Sequence, residues 1–403
     1  MRLVYVTSSY PYGRGEGFLT AELRELERQG HDVTIVPTFA RGPLVHEDAR
    51  ALVHRTRCVP LLSSAVAAAA LRTSLAAPAR SLELLVGLRR SRSAKILVKN
   101  IAVYPKGLWL AALARELGVD HIHAHWGGTS ATLAMFASGV AGVPWSLTVH
   151  RWDIREDNLL RSKLDSASFV RAVSADGLHD LERIVGPTRT PALVLHMGVP
   201  LPAGALDARG RRADDATLRV LVPAGLLEVK GHRYLVDAIR VLRSRGTHVR
   251  VGLAGAGPLR AAIAQQVADA SLAEECVLLG QLSHSELLRQ LEDGEWDAVV
   301  LASVETASGE KEGIPVVFLE AMSYGLPVVG TAVGGIPELL GDGAGLLVPS
   351  RNAVVLADAI ERLARDPALR ARLGRLGRER VERDFSVEAV VRELAAQFER
   401  AAR

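Results

Sequence analysis

Cysteine is scarce: Cys58 and Cys276 are the only two, one in each half of the chain. Two isolated thiols support neither a disulfide framework nor a cysteine-built metal site, and the expected setting is a reducing cytoplasm. Aromatic residues make up 4% of the chain and do not interleave with its basic stretches. A nucleic-acid partner is not expected, since stacking on bases needs such residues. Long uncharged apolar runs are missing too. The best candidates are interrupted by Arg72 and by Lys95, Lys99 and Lys106, and a membrane span needs roughly 20 predominantly apolar residues. The first residues, Met1-Arg-Leu-Val-Tyr-Val, run straight into a strand pattern, so no signal peptide is expected. No Asp-x-Asp pair is found that would bridge a metal to a diphosphate.

What is present is an ordinary globular composition. The 403 residues are 48% apolar and 23% charged, enough for two or three domains with large cores. The net charge is only +4, but it is uneven: residues 41–115 hold 13 Lys and Arg against Glu47, Asp48 and Glu83, a local excess of +10. Basic segments rich in Ala and Leu fit a peripheral contact with the inner membrane face. The alternative is a solvated basic face over a helical core.

The most informative stretch is Glu312-Gly-Ile-Pro-Val-Val-Phe-Leu-Glu320, followed by Ala321-Met-Ser-Tyr-Gly-Leu-Pro-Val-Val329. Pro315 suits the first turn of a helix that runs through Phe318, Leu319 and Met322 and stops at Gly325. The unbonded amides of Gly313 and Ile314 would then open the helix just after Glu312 and form an anion site. Glu320 would lie on the same element, within reach of a ligand held there. Upstream, Lys230-Gly-His before an apolar-periodic helix adds a point charge to a helix start.

The N-terminal half begins with the strand Leu3 to Thr7. A loop with Gly13, Gly15 and Gly17 follows, then a helix faced by Leu19, Leu23 and Leu26, and a second strand, His31 to Val36. This βαβ start places glycines at a strand's carboxyl end, where open α/β sheets bind ligands. In Asp120-His-Ile-His-Ala-His125-Trp126 the three histidines would share one strand face. No carboxylates accompany them, so no metal is expected; His121 and His123 read as structural, and His125 sits at the strand end. A second strand ends in His150-Arg-Trp152-Asp153.

These residues resemble the retaining glycosyltransferases of family 4, which have the GT-B fold. The glutamate pair with Glu-Ala-Met and Gly-Leu-Pro-Val-Val is similar to the family signature. The stretch Leu301-Ala-Ser-Val with an insert ending in Glu310-Lys-Glu-Gly-Ile-Pro resembles its exopolysaccharide, colanic-acid-type branch. The resemblance implies an α/β protein of two Rossmann-like domains facing a cleft. Residues 1–203, completed by a C-terminal helix at 385–403, would take the acceptor. Residues 204–217 would form a linker, and 218–384 would bind the nucleotide-sugar.

It also implies roles. Glu312 would hold sugar hydroxyls, and Lys230 with the Gly313 and Ile314 amides before Pro315 would stabilise the leaving diphosphate. Glu320 would bind the ribose, and His150 would contact the transferred sugar. Gly15, Gly17 and Gly255 would approach the donor, and Gly280, Gln281 and Leu282 would hold the base. His125, Trp126, Trp152 and Asp153 would lie on the acceptor side. One departure stands out: the family carries an arginine five residues before the lysine, and here Gly225 fills that position. The implied reaction is metal-independent, cofactor-free transfer from a UDP- or GDP-sugar to a saccharide or lipid-linked acceptor. Transfer to a small natural-product acceptor, an epimerase and a nucleotide-sugar-binding protein without transferase activity are the alternatives.

Overall fold

A computed structural model describes residues 1–13, 15–45, 47–202 and 217–403. The chain divides into two compact units. The first comprises Met1–Gly198 with Val387–Arg403, the second Val199–Ser386. The expected linker, 204–217, lies outside the described residues except for Thr217.

The first unit runs β1 (Arg2–Thr7), α1 (Leu19–Arg28), β2 (Asp32–Pro37), α2 (Ser64–Ala76), α3 (Pro78–Gly87), α4 (Ala94–Leu117), β3 (His121–His125), α5 (Thr129–Ala141), β4 (Trp145–Val149), α6 (Arg151–Glu156), α7 (Leu160–Leu164), β5 (Phe169–Ala172), α8 (Ala175–Val185) and β6 (Ala192–Val194). All its strand pairs are parallel, in the order β2-β1-β3-β4-β5-β6. Such a sheet is covered on both faces, so its strands are buried and largely apolar; Leu3, Val4, Tyr5 and Val6 are all buried, and so are the polar exceptions on β3, β4 and β5, among them His123 and Arg171. Helix α1 buries the predicted stripe Leu19, Leu23 and Leu26. Serines start three helices: Ser63, Ser93 and Ser174 accept from the amides of Val66, Ile96 and Gly177, which satisfies donors a helix start leaves open.

Helix α4 is the one helix among the described residues long and apolar enough to cross a membrane. It packs against α2 and α5, and its buried Lys106 donates to the carbonyls of Pro37 (2.7 Å) and Thr38 (3.1 Å), as befits a core helix. The C-terminal helix Val387–Ala402 packs on α1 and β3. Its Phe398 ring lies 4.9 Å from that of His121 and 5.2 Å from that of His123.

The second unit continues with β7 (Leu218–Pro223), α9 (His232–Ser244), β8 (Val249–Ala254), α10 (Arg260–Asp269), β9 (Cys276–Gly280), α11 (His284–Glu292), β10 (Ala298–Leu301), α12 (Val316–Ser323), β11 (Val328–Thr331), α13 (Ile336–Leu340), β12 (Leu346–Val348), α14 (Ala353–Arg365) and α15 (Pro367–Asp384). Its strands are again parallel, in the order β12-β11-β10-β7-β8-β9. One expectation needs correction. Pro315 is not in the first helical turn: with ψ at 116° it is the extended residue before α12, and the helix starts at Val316.

Both sheets reverse strand order once, between β1 and β3 in the first unit and between β7 and β10 in the second. In open α/β sheets ligands bind beyond the carboxyl ends of the strands at such a point.

Candidate functional site

In the second unit the candidate residues gather at the β7/β10 reversal. Lys230 ends a 3-10 turn (Glu228–Lys230) after β7. Val304 donates its amide to the Val229 carbonyl at 2.8 Å, which ties this turn to the end of β10. Gly231 has φ +63°, and a Cβ there would sit 1.9 Å from the Ala302 carbonyl oxygen. Only glycine permits that approach, and the approach delivers Lys230. Its Nζ lies 2.5 Å from Glu312 Oε2, which also accepts from the Ser303 hydroxyl at 3.2 Å.

Glu312 is held from the other side. Gly334, at φ +60°, would place a Cβ 1.8 Å from the Glu312 carbonyl oxygen, and one on Gly335 would lie 2.9 Å from the Ile314 amide nitrogen. The Gly-Gly turn after β11 therefore packs backbone to backbone against Glu312 and Ile314. Among the described residues the amides of Gly313 and Ile314 have no protein acceptor. A cation, a carboxylate, a hydroxyl and two open amides thus converge beside the N-terminus of α12.

Glu320, buried on α12, accepts from His284 Nε2 at 2.6 Å. His284 and Ser303 are the partners sequence reasoning missed. Ser303 closes an apolar strand run, a detectable position; nothing in the Ser-His-Ser-Glu start of α11 points to Glu320. Gly255 fits only as glycine, since a Cβ would meet the Ala224 carbonyl oxygen at 2.0 Å, whereas Gly225 has room, its nearest neighbour being 3.6 Å from an added Cβ. Gly280, at φ +75°, ends β9, with Gln281 and Leu282 following.

In the first unit the corresponding point is occupied by aromatic and imidazole rings. His125 ends β3 and His150 follows the last residue of β4, and the two meet through their Nε2 atoms at 2.8 Å. The Trp126 ring lies 4.4 Å from that of His150. Trp126 has φ +96°, a genuine outlier for a bulky residue. Its indole N–H donates to Glu16 Oε1 at 2.5 Å. Glu16 also accepts from the amides of Ser8 (3.0 Å), Ser9 (2.6 Å) and Tyr10 (2.6 Å), so a carboxylate from the loop of Gly13, Gly15 and Gly17 fills the amide nest at the end of β1.

Asp153 accepts from the amides of His150 (3.0 Å) and Gly128 (3.1 Å) and forms a capping box with His150 at the start of α6. Burial pushes its carboxyl up to about 6. Trp152, on the same helix, is 62% exposed and stands apart from this cluster's contacts. His121 and His123 bond instead to Ser146 and Thr148 on β4. Among the described residues no group of three or more His, Cys, Asp or Glu is arranged to hold a metal ion.

A sequence model of the family described as Glycosyl transferases group 1 matches residues 208–380. The matched region, 208–380, is thus similar to the glycosyl transferases of group 1. Among curated relatives, the amylovoran biosynthesis glycosyltransferase AmsK of Erwinia amylovora is 37% identical over 187 residues, 46% of this chain and 45% of that protein. The putative colanic acid biosynthesis glycosyltransferase WcaL of Escherichia coli (strain K12) is 31% identical over 214 residues, 53% of this chain and 52% of that one. The chain thus spans about half the length of the curated relatives it matches. Among solved structures, Anabaena Alr3699/HepE in complex with UDP superposes with a TM-score of 0.72 at 18% identity, covering 99% of this chain and 100% of that one. The fold is of the expected class, GT-B. The matched region contains the whole Lys230–Glu312 cluster.

Proposed function

We propose that the protein is a retaining glycosyltransferase that moves a sugar from a nucleoside-diphosphate sugar to a saccharide acceptor. The observation that carries this is the convergence of Lys230, Glu312 and Ser303 beside the open amides of Gly313 and Ile314, inside the region similar to the glycosyl transferases of group 1. When the glycosidic bond breaks, negative charge develops on the diphosphate. A fixed cation and preset N–H donors stabilise that charge without reorganising, so the transfer needs no metal and no cofactor. Glu312 leaves the lysine for the sugar hydroxyls. Glu320 takes the ribose hydroxyls, with His284 orienting its carboxylate. By the family resemblance, His150 contacts the transferred sugar.

The donor is a UDP- or GDP-sugar; Alr3699/HepE was solved with UDP and with UDP-glucose. AmsK and WcaL are named for amylovoran and colanic acid biosynthesis, which favours a saccharide on a lipid carrier over a small scaffold. Nucleoside diphosphate release from a panel of UDP- and GDP-sugars, with product anomers assigned by NMR, tests the proposal. Lys230→Ala and Glu312→Ala should each lower kcat/KM by about a hundredfold or more. Near-normal rates in both variants would remove the site from the mechanism, and interconversion of free nucleotide-sugars would mark an epimerase.

The same reading places the protein at the inner membrane face. Among the described residues, large exposed apolar side chains concentrate on α2, α3 and the start of α4: Leu71, Leu75, Leu82, Val86, Val98 and Ile101 are 43–73% exposed. Residues 71–101 carry seven Lys and Arg against Glu83 alone. Apolar side chains ringed by cations match an anionic bilayer. Sedimentation with vesicles of phosphatidylcholine and phosphatidylglycerol should fall when Arg89, Arg90 and Arg92 are neutralised; unchanged sedimentation refutes the contact.

A further inference from the structure

Behind His150 the first unit buries a row of polar side chains that the proposed reaction does not use. Arg171 on β5 is completely buried. Its Nε donates to the Leu195 carbonyl at 2.7 Å and its Nη2 to that of His196 at 2.5 Å. Its Nη1 lies 2.7 Å from Glu22 Oε2 on α1. The other oxygen of Glu22 takes the Tyr5 hydroxyl from β1. The Tyr5 oxygen lies 3.0 Å from His125 Nδ1, and His125 Nε2 lies 2.8 Å from His150 Nε2. The row runs without a gap from a fixed cation to the ring at the end of β4.

Each link settles the direction of the next. A carboxylate paired with Arg171 is ionised and only accepts. The single proton of Tyr5 therefore goes to Glu22, and the Tyr5 oxygen must accept. His125 then carries its proton on Nδ1 and presents a lone pair at Nε2. His150 has to donate from Nε2, which leaves its own Nδ1 bare. Burial, aided by Arg171, holds the His125 imidazole far below its ordinary value and brings His150 to about 3, so both rings are neutral.

We propose that Arg171, Glu22, Tyr5 and His125 are positioning residues that lock His150 into one tautomer, protonated on Nε2, and one ring orientation. The lock serves the proposed transfer, on which this inference rests: a ring whose Nε2 proton is committed to His125 and which burial keeps neutral meets its ligand in a single fixed form. His150 then acts as a shaped, neutral wall against the Trp126 ring rather than as a general acid or base. With Tyr5→Phe, His125 Nδ1 loses its acceptor and the two rings become free to exchange tautomers.

The test is the tautomeric state itself. Two-bond proton–nitrogen correlation spectra of the full chain, with nitrogen-15 in histidine only, are recorded at pH 7 and 8 and assigned with His125→Gln and His150→Gln. The parent should show His125 protonated on Nδ1 and His150 on Nε2, with no averaging. In Tyr5→Phe the two signals should become averaged. Its kcat for nucleoside diphosphate release should fall about tenfold or more while the donor KM stays within about threefold.

A parent His150 that is averaged or protonated on Nδ1 overturns the lock, and this measurement needs no variant to fold. Averaging in Tyr5→Phe with an unchanged kcat overturns the positioning role. A parent that releases no nucleoside diphosphate from any donor defeats the proposed function instead, and leaves the spectra to decide the lock alone.

Discussion

Acidification should unfold the first unit before the second, and buried histidines set the size of the effect. His121, His123 and His125 are 0–1% exposed. Burial lowers His121 to about 3 from its ordinary 6.5 and holds His123 and His125 well below theirs. A group depressed in the folded state lends stability above its unfolded value of 6.5. That stability is lost as the pH falls from 6.5 toward the folded value, because the unfolded chain takes up protons that the folded chain refuses. At pH 5.5, one unit below the unfolded value, His121 loses on the order of 1 kcal/mol, and His123 and His125, shifted in the same direction, add losses of the same sign, together a few kcal/mol. His150, also depressed but partly accessible at the sheet end, adds less. Lys163, lowered by burial to about 7, costs on the order of another 1 kcal/mol between pH 7.5 and 5.5. Asp153, raised to about 6, returns a similar amount, since a raised carboxyl stabilises the fold as the pH falls through that value. A domain's total stability is roughly 5–15 kcal/mol, so the first unit should be close to its limit at pH 5.5. Four of the five tryptophans, at 109, 126, 145 and 152, belong to this unit. Fluorescence of a Trp296→Phe variant therefore reports on it alone in urea titrations at pH 7.5, 6.5 and 5.5. A change below about 1.5 kcal/mol across that range would show that the rings accept protons in place, and the reasoning would be wrong.

Other outcomes follow from single positions. Gly334→Ala puts a methyl 1.8 Å from the Glu312 carbonyl at a left-handed φ; it should cost at least about 2 kcal/mol of second-unit stability, read by urea unfolding, and abolish donor turnover. Gly225→Arg enters a position with room for a Cβ and restores the cation the family resemblance led one to expect; melting should be unchanged within about 0.5 kcal/mol, and calorimetry should show tighter binding of UDP or GDP. Glu22→Gln strands the buried Arg171 charge and should destabilise the first unit by about 3–5 kcal/mol, measured by the same fluorescence titration.

The parts of the molecule legible in the sequence share a physical reason: the residue type itself reports the local backbone. Strands buried on both faces must be apolar, so Leu3 to Val6 and Ala298 to Leu301 announce themselves. A glycine squeezed against a carbonyl must remain glycine, so Gly231, Gly255 and Gly334 mark where β7, β8 and β11 turn toward the ligand. Lys230 stands out beside Gly231 before an apolar-periodic helix, and Glu312 with its two amides stands out by the glutamate spacing and the helix start that Pro315 signals. Pro315 was misplaced by one residue because proline suits the extended residue ahead of a helix as well as its first turn.

What the sequence hides is pairing across elements. Nothing in Glu22 separates it from an ordinary surface residue of an amphipathic helix: its neighbours on the stripe are Leu19, Leu23 and Leu26, and one acid beside them reads as the solvent edge. It is buried because Arg171, on a strand far along the chain, is buried opposite it, and neither residue's burial makes sense alone. The same holds for Glu16, one acid between glycines that receives three amides and an indole N–H. Isolated charges inside a sheet domain carry large desolvation costs, so each such partner is dictated by the other's position in space, which only the folded chain supplies. The glutamates of the second unit are spelled out by their glycines; those of the first are spelled out only by their partners.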